Sequence, residues 1–173
     1  DKISDLISFI ENQRRIDPKT NLDKMFGFCK VLGNPQNTFK SIHITGTNGK
    51  GSVVSYLRSI FMENGLNVAT FTSPYIVKFN ERIAYNNVPI SDDDLLEIGN
   101  LIISKYPTFE SLNLGTPSFF EFVTLISFIY FSKKQIDLAI IEVGIGGTLD
   151  STNVIDSNAS VITNVNFDHM NIL

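Results

Sequence analysis

The chain has one cysteine, Cys29, so it cannot build an internal disulfide framework, and this usage fits a reducing compartment. Phe26, Phe28, Val31 and Leu32 surround it, which makes it a packing residue. Basic runs are missing too. With a net charge of −4, the chain lacks the electrostatic footprint of a nucleic-acid binder. No signal-peptide pattern and no membrane-spanning run is visible. The most apolar stretch, 119–131, is short and carries Glu121, so it reads as a core helix. The expectation is a cytoplasmic protein with no membrane partner. No Ser-His-Asp or Cys-His set stands out, which argues against covalent nucleophilic catalysis. What is present is ordinary for a soluble globular domain: 173 residues, 43% hydrophobic and 18% charged, enough for one domain with a substantial core.

Against this background one stretch is unusual: Thr45-Gly46-Thr47-Asn48-Gly49-Lys50-Gly51-Ser52. The β-branched run Ser41-Ile42-His43-Ile44 before it predicts a buried strand, in which His43 is a packing residue. Val53, Val54, Leu57, Ile60 and Phe61 after it recur at helical spacing, and Gly65 marks the stop. A glycine-rich turn between strand and helix lets backbone N–H groups face an anion. The helix N-terminus adds partial positive charge, Lys50 a full charge, and Ser52 a hydroxyl within reach of a bound magnesium ion. The pattern departs from a strict G-x-x-x-x-G-K-[ST] loop. Ile44 stands where the first glycine belongs, and Gly51 follows the lysine.

The rest of the chain alternates helices and strands. Ser4 to Arg15 reads as a helix with Ser4 as its cap, 17–20 as a turn, and Leu22 to Leu32 as a second helix ending at Gly33-Asn34-Pro35. A strand is expected at Val68 to Phe71. A long irregular segment, 73–89, follows, with a hairpin turning at Asn86-Asn87. Glu81 and Arg82 within it read as ordinary solvated charges. Ser91-Asp92-Asp93-Asp94 opens a helix; acids at a helix start suit its dipole better than they argue for a metal. Thr116-Pro117 is expected to start the apolar helix, whose polar stripe is Glu121, Thr124 and Ser127. The run 137–142 is an apolar strand ending in Glu142, the pattern of a carboxylate that holds magnesium beside a nucleotide. Gly144, Gly146 and Gly147 then allow a close backbone turn. The last strand, 159–163, leads to Asn164 and on to Asp168-His169.

These elements predict an α/β fold: a mostly parallel sheet with helices on both faces. Ligands of such sheets sit beyond the carboxyl ends of the strands. The Lys50 loop, Ser73, Glu142 and Asp168-His169 all follow strands, so they are expected to converge there.

The phrase Gly-Thr-Asn-Gly-Lys-Gly-Ser resembles the ATP-binding loop of the Mur ligase superfamily, in particular the folylpolyglutamate and dihydrofolate synthases. The phrases LGNPQ (32–36), TSPYIVKFNERI (72–83), EVGIGG (142–147) and LDSTN (149–153) extend the resemblance over nearly the whole chain. It implies a P-loop NTPase-like Mur ligase central domain that uses ATP and Mg2+. Carried over residue by residue, it assigns Thr47, Asn48, Gly49, Lys50, Gly51 and Ser52 to the nucleotide. It assigns Ser73, Glu142 and His169 to magnesium, with Lys50, Glu142 and His169 catalytic. A histidine is a departure from the oxygen ligands magnesium prefers, and only the resemblance supports it. Ser118-Phe119-Phe120-Glu121 matches a family motif that contacts the pterin-bearing substrate, which points to Ser118, Phe120 and Glu121. For Glu121 the helix dipole is an equal explanation. Thr20 to Asp23 is either part of the pterin-side surface or a surface turn.

The implied activity is ligation of L-glutamate to the γ-carboxylate of a folate through an acyl phosphate, with dihydrofolate synthesis as an additional capacity. Many relatives carry arginine where this chain has Thr148, which favours polyglutamylation. Members of the family are longer, usually monomeric, and have a C-terminal domain that helps bind ATP and glutamate. The chain begins without methionine and ends at Leu173 with no closing element, so 1–173 is expected to be an incomplete ATP-binding ligase domain. Two other readings stand beside this one: a cell-wall amino-acid ligase of the same superfamily, and an inactive nucleotide-binding fragment.

Overall fold

β1, Ser41–Thr45, lies one strand in from an edge of the sheet. The computed structural model describes residues 2–14, 22–144 and 150–165. The helices are α1 (Lys2–Glu11), α2 (Leu22–Val31), α3 (Lys50–Glu63), α4 (Asp92–Ser104), α5 (Tyr106–Ser111) and α6 (Phe119–Ser132). The remaining strands are β2 (Val68–Phe71), β3 (Ile83–Tyr85), β4 (Val88–Pro89), β5 (Leu138–Glu142) and β6 (Ala159–Ile162). Among the described residues they form one six-stranded sheet in the order β4-β3-β2-β5-β1-β6. β2, β5, β1 and β6 run parallel, and the β3–β4 hairpin is antiparallel at one edge. The mostly parallel sheet expected from the strand–helix alternation is therefore present.

Side chains alternate across the sheet as strand geometry requires. Ile44, Val68 and Ile140 meet Val54 of α3 on one face. Ala69, Phe71, Ala139 and Ile141 meet α6 on the other, with α1, α2, α4 and α5 in the same core. α6 is buried along nearly all its length. Thr124 and Ser127 are tolerated there because their hydroxyls donate to the carbonyls of Phe120 (2.7 Å) and Thr124 (2.7 Å). No helix among the described residues is long and apolar enough to cross a membrane.

Local chemistry accounts for the element ends. Gly65 has φ +79°, and its N–H donates to the carbonyl of Met62 at 2.9 Å, closing α3. Asn86 and Asn87 have φ of +47° and +64°, which suits a two-residue hairpin turn. Ser91 caps α4 by accepting the N–H of Asp94 at 3.1 Å, and Asp92 pairs with Lys78 at 3.4 Å. The acidic triplet is thus a helix start. Burial pushes the Cys29 thiol up to about 12, as a packing cysteine requires.

Several expected boundaries differ, the end of α1 at Glu11 rather than Arg15 among them. Ser4 lies inside α1 rather than capping it, because the helix already begins at Lys2. α6 begins two residues later than Thr116-Pro117 suggests, because Ser118 is its cap. α5 was not expected; with only six residues, its apolar pattern is too short to read.

His43 is buried in β1, and burial holds its pKa below the ordinary value, offset in part by a hydrogen bond with the Asn153 side chain. An unfolded histidine takes up a proton near pH ~6.5, whereas this one resists it. Its contribution is therefore fully present above about pH 6.5 and is lost as pH falls below that, toward the depressed folded pKa. Urea midpoints of wild type and His43→Gln at about pH 7.5 and about pH 5.5 are expected to show the larger acid-side loss in wild type. Equal losses would show that His43 does not contribute.

Candidate active site

The phosphate-loop candidate leaves β1 at Thr45 and enters α3 at Lys50. Gly49 is the N-cap, with φ +79°, and no side chain caps the helix. Its first N–H groups and the Lys50 ammonium are therefore presented at the carboxyl edge of the sheet, where an anion satisfies both. Upstream, the loop is held by the end of β6. Asn164 accepts the N–H of Thr47 on its carbonyl (3.0 Å) and that of Asn48 on Oδ1 (2.8 Å).

Glu142 ends β5 in register with Ile44, next to the loop. It is only 5% exposed. Burial pushes its carboxyl up, opposed by the Ser73 N–H and by the charges of Lys50 and Arg82. Ser73 follows β2, which is also adjacent to β5, and its N–H donates to Glu142 Oε2 at 3.2 Å. Parallel register thus brings Lys50, Ser73 and Glu142 to one edge, as the strand ends suggested. A cavity of about 570 Å3 opens here, lined by Gly51, Ser52, Arg58, Thr72, Ser73 and Glu142 among others. That volume suits a small-molecule site.

The carboxylate of Glu142 and the hydroxyl of Ser73 are hard oxygen donors, the class magnesium takes. One carboxylate oxygen of Glu142 is oriented by the Ser73 N–H. The donor chemistry fits magnesium. His169, Asp168 and Thr148 lie outside the described residues, as do 145–149 and Thr20.

The substrate candidates divide. Ser118 and Glu121 form a capping box: the Ser118 N–H donates to Glu121 Oε1 at 2.9 Å, and the Glu121 N–H donates to Ser118 Oγ at 3.3 Å. Their polar groups serve the start of α6. Phe120 instead packs on Phe71, with ring centroids 5.9 Å apart, and its ring would lie 2.9 Å from a Cβ at Gly144. It borders Gly144, just after β5.

Three residues gained roles that the sequence reading did not assign. Arg82 is not a solvated charge: it is 5% exposed, with its guanidinium 5.2, 5.7 and 5.3 Å from the ring centroids of Tyr75, Phe79 and Phe119. It donates to Ser73 Oγ at 3.0 Å. Glu81 accepts the N–H groups of Ile76, Val77 and Lys78 and so folds the 73–82 loop onto itself. Asp150, buried, accepts the N–H of Gly144 (2.8 Å) and of Thr152 (2.9 Å). Asp150-Ser151-Thr152 carried the signal, since an aspartate before Ser-Thr is a cap pattern. Nothing local showed that Arg82 would be buried: Tyr75 and Phe79 of its own loop meet it, but the third ring, Phe119, comes from the start of α6.

Similarity to known proteins agrees with this geometry. A family model, the Mur ligase middle domain, matches residues 44–173, more than half of the chain. Over 170 residues the chain is 41% identical to the dihydrofolate synthase/folylpolyglutamate synthase of Bacillus subtilis (strain 168), covering 98% of this chain and 40% of that protein. It matches the solved FPGS–AMPPCP–folate complex with a TM-score of 0.93 at 36% identity, covering 99% of this chain and 42% of that one. For the Mycobacterium tuberculosis folylpolyglutamate synthase complexed with ADP, the TM-score is 0.87 at 33% identity, with 98% and 38% covered. The chain spans about two fifths of the length of these relatives. With the strand–loop–helix, the parallel sheet and the family match all in agreement, the chain belongs to the Mur ligase middle domain family.

Proposed function

We propose that this chain is the ATP-binding part of a folylpolyglutamate synthase, a ligase that joins the α-amino group of L-glutamate to the γ-carboxylate of a folate. Dihydrofolate synthesis is a second capacity of the same centre. The observation that carries this reading is the Ser73 N–H on the buried Glu142 carboxylate, one strand away from the uncapped, lysine-bearing start of α3. The names of the relatives support the substrate class. The working enzyme includes a further C-terminal domain, acts as a monomer in the cytoplasm, and needs no nucleic acid or membrane. The chain by itself is inactive.

A carboxylate does not condense with an amine at neutral pH, because it is a poor electrophile. Transfer of the γ-phosphoryl group to a folate carboxylate oxygen releases ADP and gives an acyl phosphate. The glutamate amine then displaces inorganic phosphate and loses its proton. This chemistry depends on positioning and charge neutralisation. The ammonium of Lys50 offsets charge on the β- and γ-phosphates, and the N–H groups of Gly49, Gly51 and Ser52 orient them. Thr47 and Asn48 shape the approach to that cradle. Ser73, Glu142 and His169 are the residues that would hold magnesium, which neutralises phosphate charge when bound. Phe120 borders the pterin-bearing substrate, and Ser118 and Glu121 fix the helix that carries it.

The test is mass spectrometry of products from the full-length protein with ATP, magnesium and glutamate, given tetrahydrofolate or dihydropteroate separately. Glutamate added to tetrahydrofolate alone fits a monofunctional enzyme and the reading of Thr148. Extension of both fits a bifunctional one and removes Thr148 as a discriminator. If neither is extended while ATP still binds, the folate reading fails and a cell-wall ligase takes its place.

A further inference from the structure

We propose that Thr163 and Asn164, just past the end of β6, form a clasp that holds the phosphate loop in its binding shape. Asn164 is then a positioning residue for the nucleotide. The inference rests on the reading of 45–52 as the phosphate loop and adds a residue to it from the far end of the described chain.

Four contacts define the clasp. The Thr163 N–H donates to the carbonyl of Thr45 at 2.9 Å, which carries the β1–β6 ladder past the strand ends. The Thr47 N–H donates to the carbonyl of Asn164 at 3.0 Å. The Asn48 N–H donates to Asn164 Oδ1 at 2.8 Å. The Thr163 hydroxyl donates to the carbonyl of Asn48 at 2.6 Å. Asn48 is therefore held through both its N–H and its carbonyl. Gly46 provides the room. It has φ +137°, and a Cβ there would overlap Thr163 Oγ1 and lie 2.9 Å from the Asn164 carbonyl oxygen.

The physical consequence is a division of labour within the loop. A glycine-rich segment loses much conformational entropy when it is ordered. Here the ordering contacts come from Thr163 and Asn164 rather than from the nucleotide. The N–H groups of Thr47 and Asn48 are taken by Asn164, so the groups left to meet phosphate are those beginning at Gly49. A loop already in its bound shape binds more tightly because less ordering remains to be done. The clasp also couples the loop to a strand that leads, in sequence, to Asp168 and His169.

The experiment uses the full-length protein and three variants: Asn164→Ala, Thr163→Val and Lys50→Ala. ATP and ADP affinity are measured by calorimetry, ligation gives kcat and the KM for ATP, and hydrogen exchange follows the peptide spanning 45–52 without nucleotide. Asn164 is exposed, so its variant is expected to fold with an unchanged melting temperature. Losing the Oδ1 acceptor is expected to weaken ATP binding and raise the KM for ATP by about five- to tenfold, with little change in kcat. Exchange in 45–52 is expected to quicken. Thr163→Val is expected to move the same quantities in the same direction. Wild-type affinity and exchange in Asn164→Ala, while Lys50→Ala loses ATP, would overturn the clasp and leave the phosphate loop standing. Wild-type ATP affinity in Lys50→Ala would overturn the phosphate-loop reading itself, and the clasp with it.

Discussion

Lys50→Ala in the full-length protein is expected to abolish ATP-dependent ligation with little loss of fold stability. Lys50 is the first residue of α3, and among the described residues it makes no salt bridge. Its side chain is half-buried and contributes nothing to either core cluster. What it supplies is a full positive charge beside an uncapped helix start and a buried carboxylate. Removing one preorganised charge from a phosphoryl-transfer site costs on the order of 10²–10³-fold in rate. Alanine is also a better helix former than lysine at most positions, so α3 should form as before. Initial rates of ligation and a thermal melt decide it. Normal turnover would sink the phosphate-loop assignment, and a collapsed melting temperature would reveal a structural role instead.

The second large effect is expected from Glu142→Gln. Glutamine keeps the shape and still accepts the Ser73 N–H, but it removes the charge. A carboxylate held 5% exposed is costly to keep ionised, so the neutral variant should be as stable as wild type or more so. Catalysis should move the other way. Loss of an anionic oxygen ligand should shift the magnesium titration to higher concentration and lower turnover by roughly 10²-fold or more. A gain or equality in stability alongside a loss of activity is the pattern of a residue kept for function at the expense of the fold. An unchanged magnesium titration would remove Glu142 from the metal site.

Both effects concern side chains that sit on regular elements, and both were visible in the sequence. Thr45 to Ser52 announced itself because a β-branched run, a glycine cluster and a helical period follow one another within a short span. Glu142 did so because it ends an apolar strand. The N-cap of α6 was also legible, since Ser118 and Glu121 have capping-box spacing; the adjacent Pro117 drew the expected start forward. Arg82 was misjudged for a different reason. Its segment is irregular, and although Tyr75 and Phe79 lie close in sequence, nothing local says that Phe119 will close the box around the guanidinium.

The sequence by itself determined the local elements, the glycine-rich turn, the position of Lys50 at a helix start and the apolar character of α6. Each depends on side-chain periodicity or on backbone conformations that neighbouring residues dictate. Tertiary structure alone decided that β5 lies between β1 and β2, which puts Glu142 beside both the Lys50 loop and Ser73. It also decided that Arg82 is buried and that Asn164 holds Asn48, 116 positions away in sequence. Such contacts depend on strand order and on burial shared between distant segments. No local propensity encodes them, because their free energy is released only when the whole sheet has assembled.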